Sequence, residues 1–218
     1  MDNLQDKLPD HYVYSHPVIE FMTVVAQTCK LLEHTDEYDQ EEFIETLLKM
    51  LPLLYQKTIM LKQPEEEIDG FLEQFVTEDD YNEIAGMIKD MLGEDDAYLE
   101  VFHADMQLSD TPVLAFISEN LADIYQELKN LAGNYQTVDI EVMTAAIAAT
   151  LNAFSEHWGE KLLNALRALH HLYFQPHDKD DSYRYDEPAE HSHKNCGCAH
   201  HHDESDRRED LFNFFRNE

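Results

Sequence analysis

The sequence predicts an all-α domain, an antiparallel bundle or stacked helical hairpins of about six or seven helices, with a polar His/Cys-rich C-terminal tail. Three observations predict it. Apolar residues recur at spacings of three and four through most of residues 1–174. Caps, prolines and glycines interrupt that pattern and leave mostly short connections. After Gln175-Pro176 the apolar period stops. The chain therefore divides into an N-terminal lead (1–14), a helical domain (15–175), a polar, flexible His/Cys-rich tail (176–210) and a short aromatic segment (211–218) around "LFNFF".

Each element has its own local reason. Pro17 suits the first position of a helix opening "SHPVIEF", where its missing N–H would be unpaired anyway. Val18, Phe21, Met22, Val25, Cys29 and Leu32 then make one apolar face, on which Cys29 reads as a free buried thiol. Asp39 can cap the second helix, "DQEEFIETLLKMLPLLYQKTIML", with Glu42 three residues on. Pro52 in its interior predicts a kink near one turn earlier, and Pro64 closes the segment. "EEEIDGFLEQFV" (65–76) predicts a short helix weakened by Gly70. Thr77 caps "EDDYNEIAGMIKDML", which Gly93 ends.

"AYLEVF" (97–102) has the composition of a short strand or of a helix start. With no partner strand in view, a helical or irregular conformation is expected. "SDTPVLAFISENLADIYQELKNLAG" predicts a helix with Pro112 near its start and Gly133 past its end. Residues 138–174 are too many for one average helix, and Gly159 after Trp158 is the expected break or bend. Ala145, Ala146, Ala148 and Ala149 let a neighbouring helix approach closely. "LLKMLPLLY" is echoed by "LLNALRALHHLY", which the ordinary grammar of Leu-rich helices explains.

Composition bounds the function. Apolar residues make up 43% of the chain, enough for a core, and the net charge is −31. Residues 1–174 hold 9 Lys+Arg against 34 Asp+Glu, and residues 175–218 hold 6 against 12, so the acidity belongs to the domain itself. Such a surface repels phosphate backbones, which argues against direct nucleic-acid binding. Arg167 is the only arginine before residue 175, too few for an ordinary nucleotide or phosphoester site. Solubility is the plain reading of the acidity, and steering of a basic protein partner is the functional one. "MDNLQDKLPD" lacks a basic region followed by an apolar run, so no signal peptide is expected. No apolar stretch reaches the length of a membrane span, so no membrane partner is expected. Three cysteines, an odd number, do not suggest a disulfide framework, and a reducing cytoplasm fits.

The first two helices, "YSHPVIEFMTVVAQTCKLLE" and "EEFIETLLKMLPLLYQK", resemble an all-helical family of domains of unknown function common in Bacteroidetes. The likeness extends by helix pattern over about residues 10–175. It implies an all-α fold and a bacterial cytoplasmic protein, and it implies no activity, cofactor or catalytic residue.

The clearest chemistry is in "HSHKNCGCAHHHDE" (191–204), with five histidines and two cysteines. Thiolate and neutral imidazole suit borderline or soft ions such as zinc, nickel, cobalt or copper(I). Gly197 permits the turn that aims Cys196 and Cys198 at one ion. His191 and His193 can add ligands from one side, and His200, His201 and His202 from the other. That supply exceeds the four ligands of a structural zinc site, and one residue between the cysteines is fewer than such sites use. A solubilising appendage is thus favoured over a metal-handling one.

Glu41, Glu42 and Glu45, with Glu66 and Asp69 further on, resemble the EExxE…ExxD pattern of all-α NTP pyrophosphohydrolases of the MazG type. The resemblance implies carboxylates that hold magnesium against a triphosphate. In a chain this acidic such spacings arise by chance, and acids in the first turn of a helix are favoured by its dipole anyway. Glu100 and His103, with Asp105 nearby, give one Glu-x-x-His, half of a ferritin-like di-iron site, and no second copy follows. A hydrogen-bonded structural His103 is the expectation. His157-Trp158 is placed to line a cleft, and His170 and His171 sit near a helix C-terminus. His177-Asp178 matches the His-Asp pair of helical phosphohydrolases but falls in the polar linker. The favoured function is a non-enzymatic interaction or accessory protein. The alternatives are transition-metal binding or delivery by the tail and a magnesium-dependent pyrophosphohydrolase.

Overall fold

The computed structural model describes residues 10–64, 71–100 and 113–174. They form an all-α fold with one small two-stranded ribbon. Helix α1 (His16–Glu33) begins with Pro17 in its first turn and buries Val18, Phe21, Val25, Cys29 and Leu32, the face its spacing predicts. Helix α2 (Gln40–Met60) is capped by Asp39, whose carboxylate accepts the Glu42 N–H at 2.8 Å. It runs on through Pro52, whose ring lies at the surface, and ends ahead of Pro64. Helix α3 (Glu78–Leu92) has a complete capping box. Thr77 Oγ1 accepts the Asp80 N–H at 3.2 Å, and Asp80 Oδ2 accepts the Thr77 N–H at 2.9 Å. The Thr77 hydroxyl, which donates to Asp80 Oδ2 at 2.7 Å, and then the Thr77 N–H hold the Asp80 carboxyl below its ordinary range. Gly93 ends α3 with φ +58°, a conformation that glycine adopts without steric cost.

The structure corrects three expectations. Residues 71–77 are not helical. They run as an extended strap whose backbone is held by side chains of helix α4 (Ile117–Tyr135). Asn130 Oδ1 accepts the N–H groups of Phe75 (2.7 Å) and Val76 (3.1 Å), and Asn134 both accepts from Glu73 N–H (3.0 Å) and donates to Glu73 C=O (2.9 Å). Two asparagines one turn apart thus replace the ladder a helix would have supplied. Gly133 lies between them, inside α4 and not past its end, because a Cβ there would collide with the Phe75 ring. The other half of the expected helix, residues 65–70, lies outside the described residues.

The second and third corrections share one cause. Ala97–Glu100 is a strand, β1, and its partner is β2 (Val113–Phe116), inside the segment read as the start of α4. The pairing is antiparallel, with Ala97 opposite Phe116 and Glu100 opposite Val113. Helix α4 therefore begins at Ile117, later than Pro112 suggested. It is capped from across the chain by Asp96, a buried carboxylate that accepts the Ser118 N–H and the Ser118 hydroxyl, each at 2.7 Å.

Helix α5 (Ile140–Ala153) passes through a π turn (Phe154–Trp158) into α6 (Gly159–Phe174), so Gly159 marks a change of helical winding and not a break. The wide turn leaves backbone groups to be satisfied, and the Trp158 indole N–H donates to Thr150 C=O at 3.1 Å. Trp158 is a core residue, while His157 faces solvent. The cleft suggested for this pair is therefore not formed by Trp158.

The core centres on α4, which touches α1, α3, α5 and α6, while α2 packs on α1 and α6. Ala145 and Ala146 are buried on α5, at its contact with α4. Polar ties fix the helices at its margin. Glu33 of α1 accepts from Tyr125 (2.9 Å) and Lys129 (2.5 Å) of α4, and Asp123 of α4 joins Tyr81 of α3 (3.0 Å) to Lys161 of α6 (2.7 Å). Among the described residues no helix is long and apolar enough to cross a membrane.

Candidate functional site

Two short turns bring the densest exposed charge together. Thr35–Glu37 turns the chain from α1 into α2, and Gly93–Asp96 turns it from α3 into β1. The first turn packs against α3. Gln40 ties the pieces, donating to Asp95 Oδ2 (3.2 Å) and, at 3.5 Å, to Leu92 C=O. The resulting acidic end exposes Asp36, Glu37, Asp39, Glu41 and Glu42 from one segment and Asp90, Glu94 and Asp95 from the other. Neither 35–48 nor 90–100 contains Lys or Arg. His34 Nδ1 lies 3.8 Å from a Glu37 carboxylate oxygen, and exposed Lys89 directly precedes Asp90.

This arrangement relocates the carboxylates singled out from sequence. Glu41 and Glu42 point to solvent at the acidic end. Glu45, a turn further on, forms an ion pair with Lys49 at 2.8 Å. Glu66 and Asp69 lie outside the described residues, and among the described residues no three His, Cys, Asp or Glu side chains gather as a metal cage would require. Glu100 is on strand β1, not on a helix, and accepts the Asn164 side-chain N–H at 2.8 Å, so the Glu-x-x-His reading loses its helical geometry. His103, Asp105 and His177 lie outside the described residues. So do the proposed tail ligands His191, His193, Cys196, Cys198, His200, His201 and His202.

Cys29 is inert by position. Burial, with the Glu33 carboxylate nearby, pushes its thiol up to about 12. The same causes raise the Tyr125 hydroxyl, and burial with Asp123 raises that of Tyr81. Burial also raises the Glu127 carboxyl, which borders a small pocket of about 90 Å³ beside the 71–76 strap.

A second surface lies on α6. Arg167 stands on a ridge between two grooves. One, of about 460 Å³, separates α6 from the ribbon, where Leu99 and Leu114 oppose each other across the strands and remain exposed. The other, of about 720 Å³, separates α6 from α2. Sequence reasoning noted Arg167 only for its isolation. It missed Gln40, Glu94, Asp95 and Asp96, because their proximity depends on the ribbon, and the ribbon's second strand carried no separate signal beside the helix that follows it.

The comparisons with known proteins agree with this fold. A family described as a domain of unknown function, DUF5063, matches residues 12–175. The chain is similar to protein BF1032 of Bacteroides fragilis, a structural-genomics target known from its crystal structure. The two share 35% identity and a TM-score of 0.68 over 77% of this chain and 98% of that one. No curated protein matches. The His/Cys segment at 191–204 lies beyond the matched span. The helical domain is thus the shared unit, and the chain belongs to the DUF5063 family of domains of unknown function.

Proposed function

We propose that the protein is a non-enzymatic accessory module of the bacterial cytoplasm that recruits a basic protein segment at its acidic end. The observation that carries this reading is the convergence of eight exposed carboxylates from two segments without a lysine or arginine between them. Clustered like charges raise the local potential, speed the encounter with a cationic partner and disfavour anionic ones. The short connections between consecutive packed helices, such as 136–139 between α4 and α5, support an antiparallel arrangement that holds both acidic turns at one end.

The test uses a lysine- and arginine-rich peptide and three forms of the full chain. Neutralising Asp36→Asn, Glu42→Gln and Glu94→Gln together should weaken binding at low salt about tenfold and flatten its salt dependence. Neutralising Glu78→Gln, Asp79→Asn and Glu156→Gln, also exposed acids, should leave it nearly unchanged. Equal losses in the two sets would reduce the acidic end to bulk charge and overturn the reading.

The composition of the tail favours one alternative, capture of zinc or another transition metal by His191, His193, Cys196, Cys198 and His200 to His202. Deletion of residues 190–204 should then abolish stoichiometric zinc binding. Unchanged affinity in the truncated chain would remove the tail from consideration.

A further inference from the structure

We propose that the groove between α2 and α6 binds an acidic amphipathic helix of a partner protein, about two to three turns long. Each wall of the groove carries a stripe at helical spacing. On α2 the stripe is Glu45, Leu48, Lys49 and Pro52, and on α6 it includes Leu163, Leu166, Arg167 and Phe174. Helix α6 already buries a different stripe, Leu162, Ala165 and Leu169, in the core. On its second stripe Leu166 and Tyr173 are partly buried against the core, whereas Leu163 and Phe174 are left largely uncovered among the described residues. Leu163 is 46% exposed and Phe174 64% exposed. From Leu163 to Phe174 the channel is about 16 Å long, which sets the length of the occupant. A groove between two packed helices accepts a third helix better than an extended strand, whose side chains alternate faces.

Charge selects the kind of helix. Each wall carries a leucine followed by a cation, Leu48-Lys49 and Leu166-Arg167. Lys49 is engaged by Glu45, but among the described residues Arg167 has no hydrogen bond or ion pair, in a domain where acids outnumber bases 34 to 9. With Lys49 paired to Glu45, the uncompensated charge lining the groove is the single Arg167 guanidinium, on an anionic molecule. That guanidinium can take a carboxylate in a bidentate pair, and a basic helix would be repelled. This surface is chemically opposite to the acidic end, so the module would hold two partners of opposite charge. The inference does not depend on the basic partner.

The experiment uses two synthetic helical peptides of about 16 residues with the same Leu/Phe stripe, one flanked by Glu and the other by Lys. The host is the full chain carrying Asp36→Asn, Glu37→Gln, Asp39→Asn, Glu41→Gln, Glu42→Gln, Asp90→Asn, Glu94→Gln and Asp95→Asn, so that the acidic end offers the Lys peptide no exposed carboxylate. The Glu peptide should bind saturably, and the Lys peptide about tenfold more weakly. Arg167→Glu should weaken the Glu peptide about tenfold or more, and Leu163→Asp should also weaken it. Both positions are exposed, so both variants should keep the parent's circular dichroism. Absence of saturable binding by the Glu peptide, equal binding of the two peptides, or full affinity in Arg167→Glu would each overturn the proposal.

Discussion

At the acidic end, eight exposed carboxylates stand on two turns and the helix ends beside them, and of these only Asp95 borders a groove among the described residues. On α6, a single arginine stands between two apolar grooves. The difference separates two ways of recognising a partner. Dense charge without apolar relief acts at long range, is screened by salt, and mainly changes how fast a partner arrives. Apolar relief around one cation acts on contact, and its strength scales with the area covered and the match of one charged pair. A net charge of −31 by itself describes only the first region.

The two regions also differ in what holds them. The α6 ridge depends on the π turn, because the winding at Phe154–Trp158 sets which residues of α6 face α2. Trp158 fills the core there and satisfies the Thr150 carbonyl. Trp158→Ala should therefore have the largest effect, a loss of about 3–5 kcal/mol in urea unfolding. Trp158→Phe keeps most of the volume and should lose less, about 1–3 kcal/mol, chiefly from the unmade indole bond. If the alanine variant lost under about 1 kcal/mol, the π turn would not be what orients the ridge.

The acidic end contains its own internal control. Asp95 and Asp96 are neighbours in sequence, yet Asp95 is exposed and Asp96 is 2% exposed with two bonds to Ser118. Asp96→Ala should destabilise the fold by about 1–3 kcal/mol. Asp95→Ala loses only a surface contact to Gln40 and should stay within about 0.5 kcal/mol. Equal effects would mean that Asp96 is not the cap of α4.

That pair also shows what the sequence could reveal. Helix identity, the caps at Asp39 and Thr77, the stop at Gly93 and the buried face around Cys29 are encoded within a few residues, and all four were legible. The ribbon was not. Val113–Phe116 lies against α4 without a break, so it read as the first turn of that helix, and β1 consequently looked unpaired. The strap at 71–76 failed differently. Its conformation is set by Asn130 and Asn134, more than fifty residues away, and no local pattern announces them. The acidic end inherits this limit: its charges were obvious in the sequence, but their convergence runs through Gln40 and the Gly93–Asp96 turn. Of the MazG-like spacing, Glu41 and Glu42 face solvent and Glu45 pairs with Lys49, while Glu66 and Asp69 lie outside the described residues.

Away from both surfaces' charge, buried Cys29 of α1 has a thiol that ordinarily ionises near 9 and is pushed up to about 12 in the fold by burial and by Glu33. The raised value means that the neutral thiol is favoured by folding. Its contribution is complete below about pH 9 and is lost as pH rises toward 12. Tyr125, raised by burial and by Glu33, acts in the same direction. The unfolding midpoint should thus fall across this window, and Cys29→Ala should reduce the slope. The native protein should also leave Cys29 unmodified by iodoacetamide at pH 8, as peptide mapping would show. Rapid native labelling would place the thiol outside the core.

The smallest expected effect is the most informative about the ridge. Among the described residues Arg167 makes no hydrogen bond or ion pair, so Arg167→Ala should change stability by no more than about 0.5 kcal/mol. A residue that stabilised the domain would be accounted for by folding alone. A cation that contributes nothing to stability, placed between two uncovered apolar grooves on a strongly acidic molecule, is better accounted for by contact with something outside the fold. Thermal melts of the parent and the alanine variant at low and moderate salt decide the point. A loss above about 1 kcal/mol would make Arg167 part of the α2–α6 packing and would return the groove to the interior architecture of the domain.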